Sequence, residues 1–219
     1  MSDASDKLID ALAGALRPVR PLNARPLWLG AALAFAAAAL YIFFSYGPRP
    51  EIAAFVRGEG MTAPMAWFKP LLFVVTAAGA LWAVADLARP EGRLRWRTLV
   101  PLILALAIEL GALLGDAVTK PSEVETGLHQ PAILCMTTVV CGGLAGLIVL
   151  WRLWLRRAAT SHPLVLGAMA GLATGSLMAA AYAVHCDRDW SVYILVYYGG
   201  AVAITAAIAA WLGRRMLRW

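Results

Sequence analysis

The sequence has little charge and few cysteines. Asp, Glu, Lys and Arg make up 15% of its 219 residues, whereas a soluble domain carries about 25%. Hydrophobic residues reach 61%, which excludes a disordered chain and argues against a soluble globular one. Three cysteines are too few for a disulfide scaffold. The G-x-S-x-G, H-E-x-x-H and phosphate-loop signatures are also missing, so the sequence predicts neither an enzyme nor a bound cofactor.

What the chain does have is apolar runs long enough to cross a bilayer, which takes about 20 residues. Six runs qualify, at about Leu27–Tyr46, Pro70–Leu87, Thr98–Gly115, Ala132–Leu155, Leu164–His185 and Val192–Gly213. The predicted fold is therefore an all-α, integral membrane bundle of six helices. It divides into an N-terminal segment (1–26), the six-span bundle (27–213) and a short tail (214–219).

The basic residues predict the orientation of this bundle. With six spans both termini lie on one side, and 14 of the 19 Lys and Arg residues fall on that side. The positive-inside rule therefore places both termini in the cytoplasm. The net charge of +6 is explained by these short basic loops, and we see no reason to invoke direct nucleic-acid binding.

Glycines spaced four apart predict close helix packing, because residues four apart share one face of a helix. Gly167, Gly171 and Gly175 follow this spacing in the fifth run, and Gly142 and Gly146 in the fourth. The face they form is expected either to pack within the bundle or to join two copies in a homodimer.

Glu109 is an acid well inside the third predicted span, where an ionised side chain is costly. We expect it to face the bundle interior, either in a structural hydrogen bond or in a functional role. No His, Lys or second carboxylate is expected in the neighbouring spans to act with it.

The three cysteines differ in predicted depth. Cys135 lies about one turn into the fourth span and Cys186 at the end of the fifth, both on the non-cytoplasmic side, where disulfides persist. This pair is open to three interpretations: reactive thiols, a static disulfide or inert buried thiols, and a metal site completed by His185 or His129. Cys141 is expected to be a small packing residue.

The N-terminal segment predicts an amphipathic helix from about Ala4 to Leu16 that ends before Pro18. Leu8, Leu12 and Leu16 repeat every four residues, with Ile9 beside them, and form an apolar stripe. This stripe is expected to bind either a groove on a partner protein or the membrane surface.

Taken together, three features resemble the negative-regulator-of-sigma-F family of six-helix membrane anti-sigma factors. They are the opening D-K-L-I-D-A-L-A-G-A-L-R-P-V-R-P-L (residues 6–22), six spans with the N-terminus inside, and Cys135 and Cys186 about fifty residues apart. The resemblance covers essentially the whole chain.

The resemblance implies a function. The segment 1–26 would hold an extracytoplasmic-function sigma factor at the membrane, away from RNA polymerase. Cys135 and Cys186 would be the sensing thiols, which respond to heavy-metal or oxidative stress and release the sigma factor.

The residues that would bind the sigma factor lie in the N-terminal segment. Leu8, Ile9, Leu12 and Leu16 would fill an apolar groove, with Arg17 and Arg20 at its rim. The alternative is a small transporter or redox membrane enzyme that uses Glu109 or the thiols, and a third option is an accessory subunit of a membrane complex.

Overall fold

The computed structural model describes residues 3–15, 22–60 and 63–216. Regular structure within these ranges is helical throughout. We number the helices α1 (Asp3–Ala15), α2 (Arg25–Tyr46), α3 (Pro50–Val56), α4 (Met65–Leu87), α5 (Trp96–Thr119), α6 (Pro121–Leu128), α7 (Ile133–Leu153), α8 (Pro163–Tyr182) and α9 (Ser191–Met216).

Six of these helices, α2, α4, α5, α7, α8 and α9, are long and apolar enough to cross a membrane. The prediction of an all-α fold with six apolar spans is therefore confirmed. The chain reverses at each turn, so the loops fall at two ends of the bundle. We call the end with residues 47–60, 63–64, 120–132 and 183–190 the distal end, and the end with residues 88–95 and 154–162 the proximal end.

Helix α8 forms the centre of the bundle and packs against α2, α4, α7 and α9. In its most apolar stretch 67% of the residues are buried, compared with 17% in α5. Helix α5 packs mainly on α4 and leaves most of its surface at the edge of the bundle. Helix α8 is thus enclosed by the protein, whereas most of α5 faces outward.

The glycines of α8 explain its close contact with α9. A Cβ atom added at Gly171 would lie 2.7 Å from the Thr205 carbonyl oxygen, and one at Gly175 would lie 3.4 Å from the Val202 Cα atom. A Cβ at Gly167 would likewise meet the backbone of α9. The chain's own sixth span therefore packs on this face, which agrees with the first of the two alternatives, packing within the bundle.

The glycines of α7 face α8 in the same way. A Cβ at Gly142 would meet the side chain of Met178, and one at Gly146 would lie 3.5 Å from the Thr174 Cβ. Gly143, which the fourfold spacing did not include, comes closest to the α8 backbone, with 3.0 Å from its added Cβ to the Gly175 Cα. Small residues let these three helix backbones approach each other.

Two span boundaries differ from the prediction in a way that affects the distal end. The second span begins at Met65 rather than Pro70, so Lys69 lies inside it. The charge of Lys69 interrupts the apolar run, but the folded chain buries this residue among polar partners. The fifth span ends at Tyr182 rather than His185, which leaves Cys186 in the loop before α9.

The distal loops contain two short helices that the sequence analysis did not predict, α3 and α6. Each begins with a proline, Pro50 and Pro121, and proline suits the first position of a helix because its fixed φ is already helical. With seven and eight residues they are too short to show a clear apolar period.

Candidate functional site

A cavity of about 720 Å³ opens at the distal end, between α7 and the loops that follow α2 and α8. Cys135 and Cys186 both line it, and both are free thiols that are 3% and 8% exposed. Its volume is within the range of small-molecule sites, about 300–1,000 Å³. The structure therefore brings the two predicted sensing cysteines to one cavity although 50 residues separate them in the chain.

Tyrosines of the sixth span surround the thiols. The Tyr193 hydroxyl lies within hydrogen-bonding reach of Cys135 and donates to the Pro131 carbonyl oxygen at 3.3 Å. The Tyr198 hydroxyl is buried, lies close to both thiols and makes no regular hydrogen bond. A chemical change at either sulfur therefore alters the packing of rings at the start of α9.

Lys69 anchors the loop that carries Cys186. Its Nζ donates hydrogen bonds to the carbonyl oxygens of Cys186 at 3.2 Å and Arg188 at 2.7 Å. The same ammonium lies 3.6 Å from the Asp189 carboxylate and 4.5 Å from the Tyr198 ring centre. Lys69 is fully buried, and these partners replace the water that it loses.

Arg49 supplies a second buried cation to the same loop. Its guanidinium binds both carboxylate oxygens of Asp189, at 2.6 and 3.1 Å, and donates to Glu51 at 3.0 Å. It also reaches the Cys186 carbonyl oxygen at 3.5 Å, while its backbone N–H donates to the Val184 carbonyl at 3.0 Å. Lys69 and Arg49 thus both donate to the Cys186 carbonyl oxygen. These contacts fix the position of Cys186 relative to the first two spans.

The pKa values around Arg49 follow from these contacts. Burial by itself lowers the pKa of Arg49, but the hydrogen bonds that Arg49 donates to Asp189 and Glu51, together with the charges of these carboxylates, outweigh it, so that the pKa is raised. The hydrogen bond from Arg49 in turn lowers the pKa of Glu51. Both groups are therefore held in their charged forms.

Sequence reasoning missed Lys69, Arg49 and Asp189. The predicted spans leave all three residues in the connecting loops and assign them no role. A signal was present for Lys69, because it stands between Phe68 and Pro70 at the edge of an apolar run. A lysine in such a position is either near the bilayer surface or paired inside the protein.

The two histidines considered as metal ligands each have one ring nitrogen close to a backbone carbonyl oxygen. The ring of His185 lines the cavity, and its Nδ1 lies 3.0 Å from the Gly47 carbonyl oxygen. The ring of His129 lies 2.8 Å from the Glu125 carbonyl of its own helical turn and is not part of the cavity. Within the described ranges, no group of three or more His, Cys, Asp or Glu side chains is arranged to hold a metal ion.

Cys141 and Glu109 both differ from expectation. Cys141 is exposed on α7, since six residues after Cys135 the helix has turned by about 120°, so the expectation that it packs in the bundle is wrong. Glu109 is buried as predicted, but its Oε2 has no hydrogen-bond partner. Lys69 lies in the span beside it, contrary to the expectation of no neighbouring lysine.

The N-terminal helix is a second candidate site. Leu8, Ile9 and Leu12 lie on one face of α1 and are 60%, 55% and 62% exposed. Leu16, Arg17 and Arg20 lie outside the described residues. The part of the stripe that the structure describes is therefore uncovered.

The comparisons with known proteins agree with one another. The sequence model of the family described as negative regulator of sigma F matches residues 12–219. The chain is 29% identical to the anti-sigma-F factor NrsF of Caulobacter vibrioides, over 98% of this chain and 99% of that protein. It is 31% identical to the probable anti-sigma-F factor NrsF of Azospira oryzae, over 74% and 76% of the two chains. No solved structure matches the chain.

Proposed function

The chain belongs to the negative-regulator-of-sigma-F family, and from this premise we propose that it is a membrane-bound anti-sigma factor. Its target is a sigma factor of the extracytoplasmic-function class. The observation that carries the proposal is the uncovered apolar face of α1, in a chain whose relatives are named anti-sigma-F factors.

Helix α1 supplies the anchors for this partner. Leu8 and Leu12 are one turn apart with Ile9 beside them, which is the pattern of a helix that binds in an apolar groove. Leu16 extends the pattern by one turn, and Arg17 and Arg20 provide polar contacts at the rim. The alignment with the 29%-identical relative covers 98% of this chain. The family match, by contrast, begins at residue 12 and leaves out Leu8 and Ile9.

The bundle holds α1 at the cytoplasmic face of the inner membrane. Of the 19 Lys and Arg residues, 14 lie on the side of the proximal loops and the two termini, and the positive-inside rule places that side in the cytoplasm. The cavity with Cys135 and Cys186 then opens on the periplasmic side, where oxidants and metal ions arrive first.

Cys135 and Cys186 act as the sensing thiols in this proposal. A peroxide would oxidise the two thiols to a disulfide and be reduced to water or an alcohol, with the thiol protons passing to the products. A soft metal ion would instead displace both thiol protons and bind the two sulfurs. Either change draws the start of α7 toward the loop before α9.

The buried cations favour transmission of this change into the bundle. Cys186 is held through its carbonyl by Lys69 of α4 and by Arg49, which precedes α3. A movement of Cys186 therefore disturbs its attachment to both elements. Release of the sigma factor requires two bundle states with different affinity for it, and this attachment is where we expect them to differ.

A pull-down of the full-length protein from its own cells tests the proposal. We compare the intact chain with a Leu8→Asp, Leu12→Asp variant, which puts two carboxylates into the apolar face. Loss of two apolar anchors costs about 4 kcal/mol, so we expect capture of one sigma factor to fall about a thousandfold.

The matched control is Lys7→Gln, Gly14→Asp, which changes the net charge equally but on the opposite face of α1. It should retain the sigma factor. If the intact chain captures no sigma factor, or if both variants lose it equally, the proposal is wrong, and transport through the bundle becomes the better hypothesis. A Cys135→Ser, Cys186→Ser variant should keep the sigma factor bound under oxidant or metal stress.

A further inference from the structure

A separate cavity of about 360 Å³ lies inside the bundle between α4, α5, α8 and α9. It shares no lining residue with the thiol cavity. Its wall is apolar except for Glu109, Ser176 and Thr76, and it includes large side chains such as Leu102 and Phe73. A few polar groups in an apolar wall are typical of a small-molecule site.

Two of these polar groups have an atom without a hydrogen-bond partner. Glu109 is 6% exposed and Ser176 is 0% exposed, yet Glu109 Oε2 and Ser176 Oγ make no hydrogen bond. The Thr76 hydroxyl, by contrast, donates to the Leu72 carbonyl oxygen at 2.9 Å. Buried polar atoms are nearly always hydrogen-bonded, and leaving one unpaired costs about 1–3 kcal/mol. Two such atoms lining one cavity indicate that something binds there.

The wall of the cavity departs from regular helix where it meets α9. Residues Ile194–Tyr198 form one turn of π-helix, and Ile194, Leu195 and Gly199 line the cavity at this point. Single π-turns widen a helix locally and occur often at functional sites. The widened turn therefore helps to make the space beside Glu109.

The cavity is reached from the side of the bundle. Leu106, one of its lining residues, is 52% exposed on α5, which is a weakly enclosed span. A ligand would thus enter from the lipid and must itself be largely apolar. Water is a poor occupant, since about a dozen molecules would be needed to fill the space and each needs two to four polar partners.

We propose that this cavity binds a compact apolar molecule that carries one hydroxyl group and comes from the lipid phase. The ligand hydroxyl donates its hydrogen bond to Glu109 Oε2 and accepts one from Ser176 Oγ. A carboxyl oxygen accepts and a serine hydroxyl donates, so one hydroxyl satisfies both. The site does not depend on the cysteines or on the sigma factor.

Labelling with dicyclohexylcarbodiimide tests this proposal, with the full chain reconstituted in lipid nanodiscs. This reagent enters from the lipid and adds the O–H of a carboxylic acid across one C=N bond. The adduct rearranges to a stable N-acylurea without loss of atoms, and peptide mass spectrometry locates it. We expect labelling at Glu109 and none at that position in Glu109→Gln.

Competition identifies the chemistry of the ligand. The probe is para-cyclohexylphenol, and its methyl ether is the control because it has the same apolar body without the donor. The ether keeps the oxygen that accepts from Ser176 and lacks only the donor to Glu109, so one hydrogen bond separates the two probes. We therefore expect the phenol to slow labelling of Glu109 about fivefold more than the ether does. Ser176→Ala should weaken protection by both probes about fivefold, because both oxygens lose the hydrogen bond that they accept from Ser176, and should leave the difference between them unchanged.

Two results would overturn the proposal. One is an intact chain in which Glu109 is not labelled at all. The other is equal protection by the phenol and its ether, which would mean that the cavity takes any apolar molecule. The Cys135→Ser, Cys186→Ser and Leu8→Asp, Leu12→Asp variants should behave as the intact chain, which keeps this test apart from the proposed anti-sigma function.

Discussion

The distal end of the bundle and the helix α1 are organised in opposite ways. At the distal end, Arg49, Lys69 and Asp189 form a buried network that ties together three segments distant in sequence. In α1, the apolar side chains of Leu8 and Leu12 stay exposed. One region satisfies its polar groups within the chain, and the other leaves its apolar side chains uncovered.

This difference fits the separate roles that we propose for the two regions, sensing at the distal end and partner binding at α1. An isolated helix of 13 residues is marginally stable in water, so α1 gains most of its order when its apolar face is covered. The distal network, by contrast, fixes the position of Cys186 through contacts within the chain. A sensor benefits from a defined resting geometry, whereas a docking helix benefits from a free surface.

The largest effect on stability should come from Asp189→Ala. This change removes the carboxylate that binds Arg49 at 2.6 Å and lies 3.6 Å from Lys69, so the two buried cations lose the counter-ion that they share. Removing one partner of a buried ion pair costs about 3–5 kcal/mol. Unfolding of the detergent-solubilised protein, followed by circular dichroism, should show this loss.

Glu59→Ala is the matched control for Asp189→Ala. Glu59 pairs with Arg57 at 2.7 Å in the same distal region, but both side chains are exposed, and exposed pairs contribute little. We expect no measurable change. If the two variants were equally stable, the distal network would not hold this end together.

A smaller effect is expected from Gly171→Leu in the middle of the bundle. A side chain there would meet the α9 backbone, because an added Cβ would lie 2.7 Å from the Thr205 carbonyl oxygen and 2.8 Å from the Ala206 Cα. Overpacking costs about 1–3 kcal/mol. Gly111→Leu is the control, since nothing lies within 4 Å of its added Cβ. The free energy of unfolding should fall in the first variant and not in the second.

The contrast between the two regions also explains what sequence reasoning could predict. The six spans and α1 follow from local patterns, namely long apolar runs and a stripe with a four-residue repeat, and each pattern is contained in one segment. Cys135 and Cys186 could be placed at a similar depth because the span order fixes which ends of the helices meet.

The distal network could not be predicted in this way. Arg49, Lys69 and Asp189 are polar residues in or beside loops, and their burial depends on contacts across more than 100 residues of chain. The π-turn at Ile194–Tyr198 and the unpaired Ser176 also depend on packing between helices. One sequence, read without an alignment to its relatives, contains no information on which distant residues pair.

The smallest effect on stability should come from Leu8→Ala, Leu12→Ala in α1. Both side chains are already exposed, so shortening them removes little buried area, and surface substitutions usually stay within about 0.5 kcal/mol. Hydrogen exchange should show fast-exchanging α1 amides in the isolated protein and slow ones in α8. Protection of α1 should appear on addition of the sigma factor and should be weaker in the variant. A loss of more than about 1 kcal/mol in the isolated variant would instead mean that α1 packs on the bundle, and the proposed division between a fixed distal end and a free docking helix would fail.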